Sequence, residues 1–169
     1  MTTIAPPTET CPVSARPRYR RAREEDIDAL VNVERTCFRS AYAAHRFQSE
    51  QFQYYLHNPR TICLVAEHRG RLVGYALGVV FARRRRQTAR LYSLAVEPYF
   101  RRRSVGTGLV QRFLREARTR ACDRISTETA CTNRGAQRLL TGFGFEVLRL
   151  LPHYYANRQH AIRLFRNLP

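Results

Sequence analysis

Apolar residues recur along this chain with two periods, and the switches between them divide it into strands and helices. Arg18 to Ala22 reads as a short first strand. From Asp26 to Phe38 the apolar positions Ile27, Leu30, Val31, Val33 and Cys37 keep close to helical spacing. Glu24, Glu25 and Asp26 suit the start of that helix, where carboxylates meet the positive end of the dipole. Ala41 to Phe47 reads as a loop or short helix, and Ser49 to Leu56 as a second helix with Ser49 as N-cap. Thr61 to Glu67 and Arg71 to Phe81 read as strands joined by the turn His68-Arg69-Gly70-Arg71. The next strand is Thr88 to Val96. Strict alternation puts Arg90, Tyr92, Leu94 and Val96 on one of its faces and Leu91, Ser93 and Ala95 on the other. A helix from about Thr107 to Arg120 buries Leu109, Val110, Phe113, Leu114 and Ala117. Arg124 to Thr129 is a strand, and Asn133 to Gly142 a helix with Ala136, Leu139 and Leu140 in its stripe. Gly142-Phe143-Gly144-Phe145 supplies a glycine cap. Phe145 to Leu150 and Ala161 to Phe165 form a last strand pair. Strands alternating with helices predict an α/β or α+β domain.

At 169 residues, 44% of them hydrophobic, one domain with a real core is expected from residue 18 to 169. Met1 to Pro17 lacks an apolar core and is rich in Thr and Pro; it reads as a disordered lead-in, not a secretory signal. No run of about 18 apolar residues is present, so no membrane span is predicted. The five cysteines, Cys11, Cys37, Cys63, Cys122 and Cys131, are scattered and odd in number. That disfavours a disulfide framework or a metal site and points to a reducing cytoplasm. Cys131 is read as a small packed residue, with a reactive thiol as the alternative. The charge changes the picture more. At +17, with every one of the 30 basic residues an arginine, the chain favours anionic partners: a phosphorylated cofactor, acidic peptides, or RNA on a ribosome. Eight arginines lie between Arg83 and Arg103; the Arg83–Arg86 run reads as a solvated hairpin tip.

The chemistry concentrates in Val96-Glu97-Pro98-Tyr99-Phe100-Arg101-Arg102-Arg103-Ser104-Val105-Gly106-Thr107-Gly108. A strand ends there, a basic loop of small residues follows, and a helix begins. Unpaired N–H groups at a helix start, with arginines beside them, hold a phosphate or pyrophosphate. The plain alternative is an ordinary turn with solvated arginines. A nucleotide P-loop is excluded because it needs a lysine and the chain has none. No dinucleotide fingerprint is present either, since its third glycine is missing.

This segment resembles the coenzyme-A loop of the GNAT superfamily of N-acetyltransferases, whose pattern is Gln/Arg-x-x-Gly-x-Gly/Ala. Arg103-x-x-Gly106-x-Gly108 fits the letters; Arg101-x-x-Ser104-x-Gly106 keeps the family's distances from Pro98 and to Leu109. The second register is preferred because element geometry sets distances. Ser104 then stands where the family has glycine, either without positive φ or bearing its strain. Three further features match in order: Leu94-Ala95-Val96 before the loop, Glu128 with Asn133 five residues on followed by Gly142-Phe143, and Pro152-His153-Tyr154-Tyr155 before the last strand. The resemblance is nearest to bacterial enzymes that acetylate ribosomal-protein N-termini, and it covers roughly residues 19–168.

What the resemblance implies is a mixed, mostly antiparallel sheet with a central splay, flanked by about four helices, using acetyl-CoA. Leu94, Ala95, Val96, Arg101, Arg102, Arg103, Ser104, Val105, Gly106, Thr107 and Asn133 would hold the cofactor. Asn133 would also cap its helix. Glu128 would be the base, through water, with an arginine-paired structural Glu as the alternative. Tyr92, Tyr154 and Tyr155 would line the acceptor site. Where the family often places an acidic Tyr, seven residues after the Asn, this chain has Leu140. The expected reaction is direct acetyl transfer to a primary amine, with a protein or peptide N-terminus favoured. The alternatives are a small-molecule amine acetyltransferase and a non-catalytic domain binding CoA or RNA. His153 and His160 read as surface residues.

Overall fold

A computed structural model describes residues 16–38, 46–83, 86–155 and 158–169. Most of the expected lead-in, the core of the Ala41–Phe47 segment, and Arg84 and Arg85 of the arginine run lie outside the described residues. Seven strands and four α-helices follow in the order β1 (Arg18–Arg21), α1 (Ile27–Cys37), α2 (Ser49–His57), β2 (Thr61–His68), β3 (Arg71–Arg83), β4 (Arg86–Val96), α3 (Val105–Thr119), β5 (Cys122–Ala130), α4 (Arg134–Gly142), β6 (Glu146–Leu151) and β7 (Ala161–Asn167). They form one sheet, ordered β1-β2-β3-β4-β5-β7-β6. Every pairing is antiparallel except β4–β5. A parallel neighbour needs a crossover, and α3 supplies it. No helix among the described residues is long and apolar enough to cross a membrane.

The predicted stripe of α3 is buried in full, from Leu109 to Ala117, and packs on one sheet face with Leu91, Ile125 and Leu164. Leu30, Val33 and Phe52 of α1 and α2 cover the other face, against Val65, Tyr75, Leu77 and Ala95. The β2–β3 turn puts Arg69 and Gly70 at φ 51° and 76°. Two positive φ values are what a two-residue hairpin loop needs to follow the strand twist. Gly144, at φ 74°, ends α4, and the Phe145 N–H reaches back to the Leu140 carbonyl.

Three local expectations are corrected. Helix α2 is entered through Gln48, whose N–H donates to the Gln51 side chain; Ser49 is already helical. Helix α3 starts at Val105, two residues before the apolar pattern shows it, because its first turn carries two glycines and Thr107. The alternation of β4 breaks: Ser93 pairs with Leu77 and Leu91 with Gly78, so Tyr92 is an extra residue in a bulge. Leu91, Leu94 and Val96 therefore face α3, while Tyr92 and Ala95 face α1 and α2.

Candidate active site

The bulge coincides with a fork in the sheet. Parallel pairing of β4 with β5 runs to Leu91 opposite Thr127 and stops, although β4 continues to Val96 and β5 to Ala130. Residues 93–96 keep their bonds to β3. Their other edge has lost its strand partner, and there the Val96 carbonyl accepts from Arg101 Nε.

The loop closing one end of this fork is strained in a useful way. Arg102 and Ser104 both adopt left-handed backbone, at φ 57° and 61°. Ser104 is the N-cap of α3 and accepts positive φ without being glycine. The first helical bond runs from the Gly108 N–H to the Ser104 carbonyl, so the N–H groups of Val105, Gly106 and Thr107 have no helical acceptor. A Cβ on Gly106 would stand 3.2 Å from Leu139 Cδ2, so α4 closes on α3 there. A Cβ on Gly108 would lie 2.2 Å from the Tyr19 hydroxyl oxygen. Gly108 thus makes room for a side chain of β1 and is not part of the loop, which favours the Arg101-x-x-Ser104-x-Gly106 register. Tyr19 in turn donates towards the Ser104 and Val105 carbonyls, at 3.4 Å each, and Arg112 stacks on its ring at 3.9 Å. Of the three loop arginines, Arg101 donates from Nε to the Val96 carbonyl at 3.0 Å and Arg103 lies over Tyr99. Arg102 is exposed. Asn133 caps α4, its Oδ1 accepting from the Ala136 N–H at 3.1 Å.

The other side of the fork is made of side chains. Glu128, with its side chain only 6% exposed, accepts from Arg163 Nε on Oε1 at 2.6 Å and from Arg90 on Oε2 at 2.9–3.0 Å. Arg163 is its cross-strand partner on β7. Arg90 also donates to the Tyr154 hydroxyl at 3.1 Å and stacks on Tyr92. Tyr92 meets Tyr55 of α2 at 5.9 Å, and Tyr154 meets Tyr155 at 5.1 Å. Glu128 is thus paired with two arginines, one from each neighbouring strand. Sequence reasoning missed Arg90, Arg163 and Tyr55. Strand parity could find Arg163 only once the β5–β7 register is known. Leu140 is 3% exposed and sits in the core with Phe145, so no hydroxyl enters from that position. His153 and His160 stack at 4.8 Å, the His153 N–H donating to His160 Nδ1, and brace the β6–β7 loop. No group of three or more metal-ligating side chains occurs among the described residues.

Residues 27–145 match the Acetyltransferase (GNAT) family. A Bacillus subtilis protein named "Putative ribosomal protein bS18-alanine N-acetyltransferase" is 29% identical over 139 residues, 82% of this chain and 86% of that protein. The N-alpha-acetyltransferase MAK3 of Arabidopsis thaliana is 31% identical over 67% of this chain, which spans 60% of that longer relative. Among solved structures, Arabidopsis thaliana NAA60 in complex with acetyl-CoA superposes with a TM-score of 0.78 at 16% identity, covering 90% of this chain and 99% of that one. The chain therefore belongs to the GNAT family of acetyltransferases, an N-acetyltransferase that draws its acetyl group from acetyl-CoA.

Proposed function

We propose that this enzyme acetylates the α-amine of a protein or peptide, with acidic residues after the first few positions favoured at low salt. The observation that carries this reading is the Arg90–Glu128–Arg163 cluster, with Tyr92 and Tyr154 against Arg90, Tyr55 against Tyr92 and Tyr155 against Tyr154. One carboxylate between two guanidiniums leaves the cluster net positive, which attracts carboxylates carried behind the α-amine. Adjacent tyrosines offer apolar walls and hydroxyls to a peptide backbone. The names of the relatives, which specify protein N-termini, point the same way.

The residues present fit acetyl-CoA. The edge of Leu94, Ala95 and Val96 that has lost β5, with Arg101 Nε on the Val96 carbonyl, suits an extended amide-bearing arm. The open N–H groups of Val105, Gly106 and Thr107, the left-handed turn at Ser104 and the cations Arg101, Arg102 and Arg103 suit a pyrophosphate. Asn133 stands at the facing helix start. Acetyl-CoA supplies a thioester carbonyl for the amine to attack. Glu128, both oxygens already accepting N–H groups, acts as base through a water and not by direct contact. With Leu140 in the core, this chain offers no hydroxyl from that position that would protonate a leaving thiolate.

We further read residues 18–169 as one domain. The four free cysteines among the described residues suit a reducing cytoplasm. The arginine excess assists encounter with acidic chains or with ribosomal RNA. Mass spectrometry of matched peptides with free or blocked α-amines, beside polyamines and aminoglycosides, tests the acceptor. Acetylation of free α-amines alone is expected. Acetylation confined to the small amines, or to internal lysines, overturns the reading.

A further inference from the structure

On the α1–α2 side of the fork lies a buried polar chain with no part in the reaction described so far. Glu34 of α1 is 2% exposed. The Tyr75 hydroxyl of β3, wholly buried, donates to its Oε1. Tyr75 Oη stands 2.8 Å from Ser93 Oγ on β4. Glu34 Oε2 is buried and meets no partner at good hydrogen-bond geometry among the described residues, although the Phe47 backbone and the Arg46 guanidinium act on the carboxyl. Ser93 follows the Tyr92 bulge directly, in the segment that has lost β5, and it is the least buried member of the chain.

A buried carboxyl is ordinarily fully bonded, since leaving one of its oxygens bare is costly. A fold that needed only to bridge α1 to β3 and β4 is served as well by a neutral amide. With Tyr75 donating to Glu34, its own oxygen is left to accept, so the Ser93 hydroxyl points its proton inwards. Ser93 Oγ then keeps its acceptor lone pairs for a donor at the fork. The whole chain has one polarity, directed away from the splayed strand and ending on a carboxylate.

We infer that Ser93, Tyr75 and Glu34 form a proton path, a second acceptor for the proton that the acceptor ammonium must lose. The N–H⁺ proton passes to Ser93 Oγ, the Ser93 proton to Tyr75 Oη, and the Tyr75 proton to Glu34. The amine becomes neutral and Glu34 becomes a carboxylic acid, with no other bond changed. Ser93 is the member that meets the substrate; Tyr75 and Glu34 are positioning and accepting groups behind it. Glu128, both of whose oxygens are engaged by Arg90 and Arg163, acts only through a water, whereas this path takes the proton directly from the amine.

The surroundings of Glu34 support this assignment. Burial pushes its carboxyl up to about 7, against the opposing pull of the Tyr75 hydroxyl, the Phe47 backbone and the Arg46 guanidinium. Among the described residues, the Cys37 thiol on α1 and the Cys63 thiol beside Tyr75 are further titratable neighbours, pushed by burial to about 11 and about 12. Burial, and then Glu34, raise Tyr75 well above its ordinary value.

Two measurements test the path. The first needs no activity. A carboxyl raised from 4.5 to about 7 on folding binds its proton more tightly in the native state, so stability falls as pH rises through that window. Melting temperatures of the parent minus those of E34Q should show this fall; a difference flat from pH 4 to pH 8 overturns the inference. The second is the pH profile of kcat at saturating peptide and acetyl-CoA. The parent should lose turnover below pH about 7. In E34Q and S93A this acidic limb should vanish, with kcat at pH 8 down about tenfold or more, KM and acetyl-CoA affinity unchanged, and E34D restoring part of both. A limb that survives in E34Q and S93A but disappears in E128Q leaves Glu128 as the sole base and overturns the path. The inference rests on the amine-acetylation reading. The parent's selectivity for α-free peptides decides the acceptor by itself, and the variants are then assayed on whichever amine the parent acetylates.

Discussion

The two sides of the fork are built from different materials. The α3 side, where we place the cofactor, is made of backbone: a free strand edge, left-handed turns at Arg102 and Ser104, and three uncommitted N–H groups. The acceptor side is made of side chains drawn from five elements: Glu34 of α1, Tyr55 of α2, Arg90, Tyr92 and Ser93 of β4, Glu128 of β5 and Arg163 of β7, with Tyr154 on the loop beyond β6. A backbone site tolerates change in side chains as long as the turn survives. A side-chain site fails when one atom is lost.

The sharpest way to break this comparison is Glu128→Gln. It should lower transfer by about 10²-fold at neutral pH while leaving acetyl-CoA affinity unchanged in calorimetry. Full activity across pH would make Glu128 a structural partner of its two arginines.

Gly106→Asp attacks the backbone half with a charge. A carboxylate at the start of α3 competes with any bound pyrophosphate and meets Leu139. CoA binding should weaken by about tenfold or more, roughly 1.4 kcal/mol. Equal affinity in the variant and the parent would move the pyrophosphate elsewhere.

Ser104→Gly sharpens the comparison through stability. It removes a Cβ from a position at φ 61°, so denaturant unfolding should show a gain of about 1 kcal/mol with CoA affinity kept. A net loss would show that the Ser104 side chain, and not its backbone, shapes the loop.

The smallest effects belong to the groove tyrosines. Tyr92→Phe, Tyr154→Phe and Tyr155→Phe each keep the ring and should stay within about tenfold of the parent in kcat, below a general-acid contribution. One variant that abolishes transfer while folding and binding normally would identify an acid.

Local rules carry the backbone half. The α3 stripe, the Arg69-Gly70 turn, the Asn133 cap and the glycine end of α4 all depend on residues within a few positions of one another, so their spacing determines them. The preferred register of the Arg101–Gly106 loop rested on such distances too. Alternation failed at Tyr92 because a bulge is decided by how β4 meets β3 and loses β5, not by β4 itself. Glu128 was legible by its spacing to Asn133, yet its two arginines were not. Arg90 lies 38 residues before it and Arg163 lies 35 after it, joined only by sheet register. The Glu34–Tyr75–Ser93 chain was hidden for the same reason. Each member reads as an ordinary helix or strand position, and only the packing of α1 onto β3 and β4 buries them together. The chain's own order therefore determined the elements, the turn geometry of the Arg101–Gly106 loop and the family pattern, because these arise from neighbours in sequence. Tertiary structure decided the fork, the pairing of charges and the path of a proton, because these depend on which distant strands lie side by side.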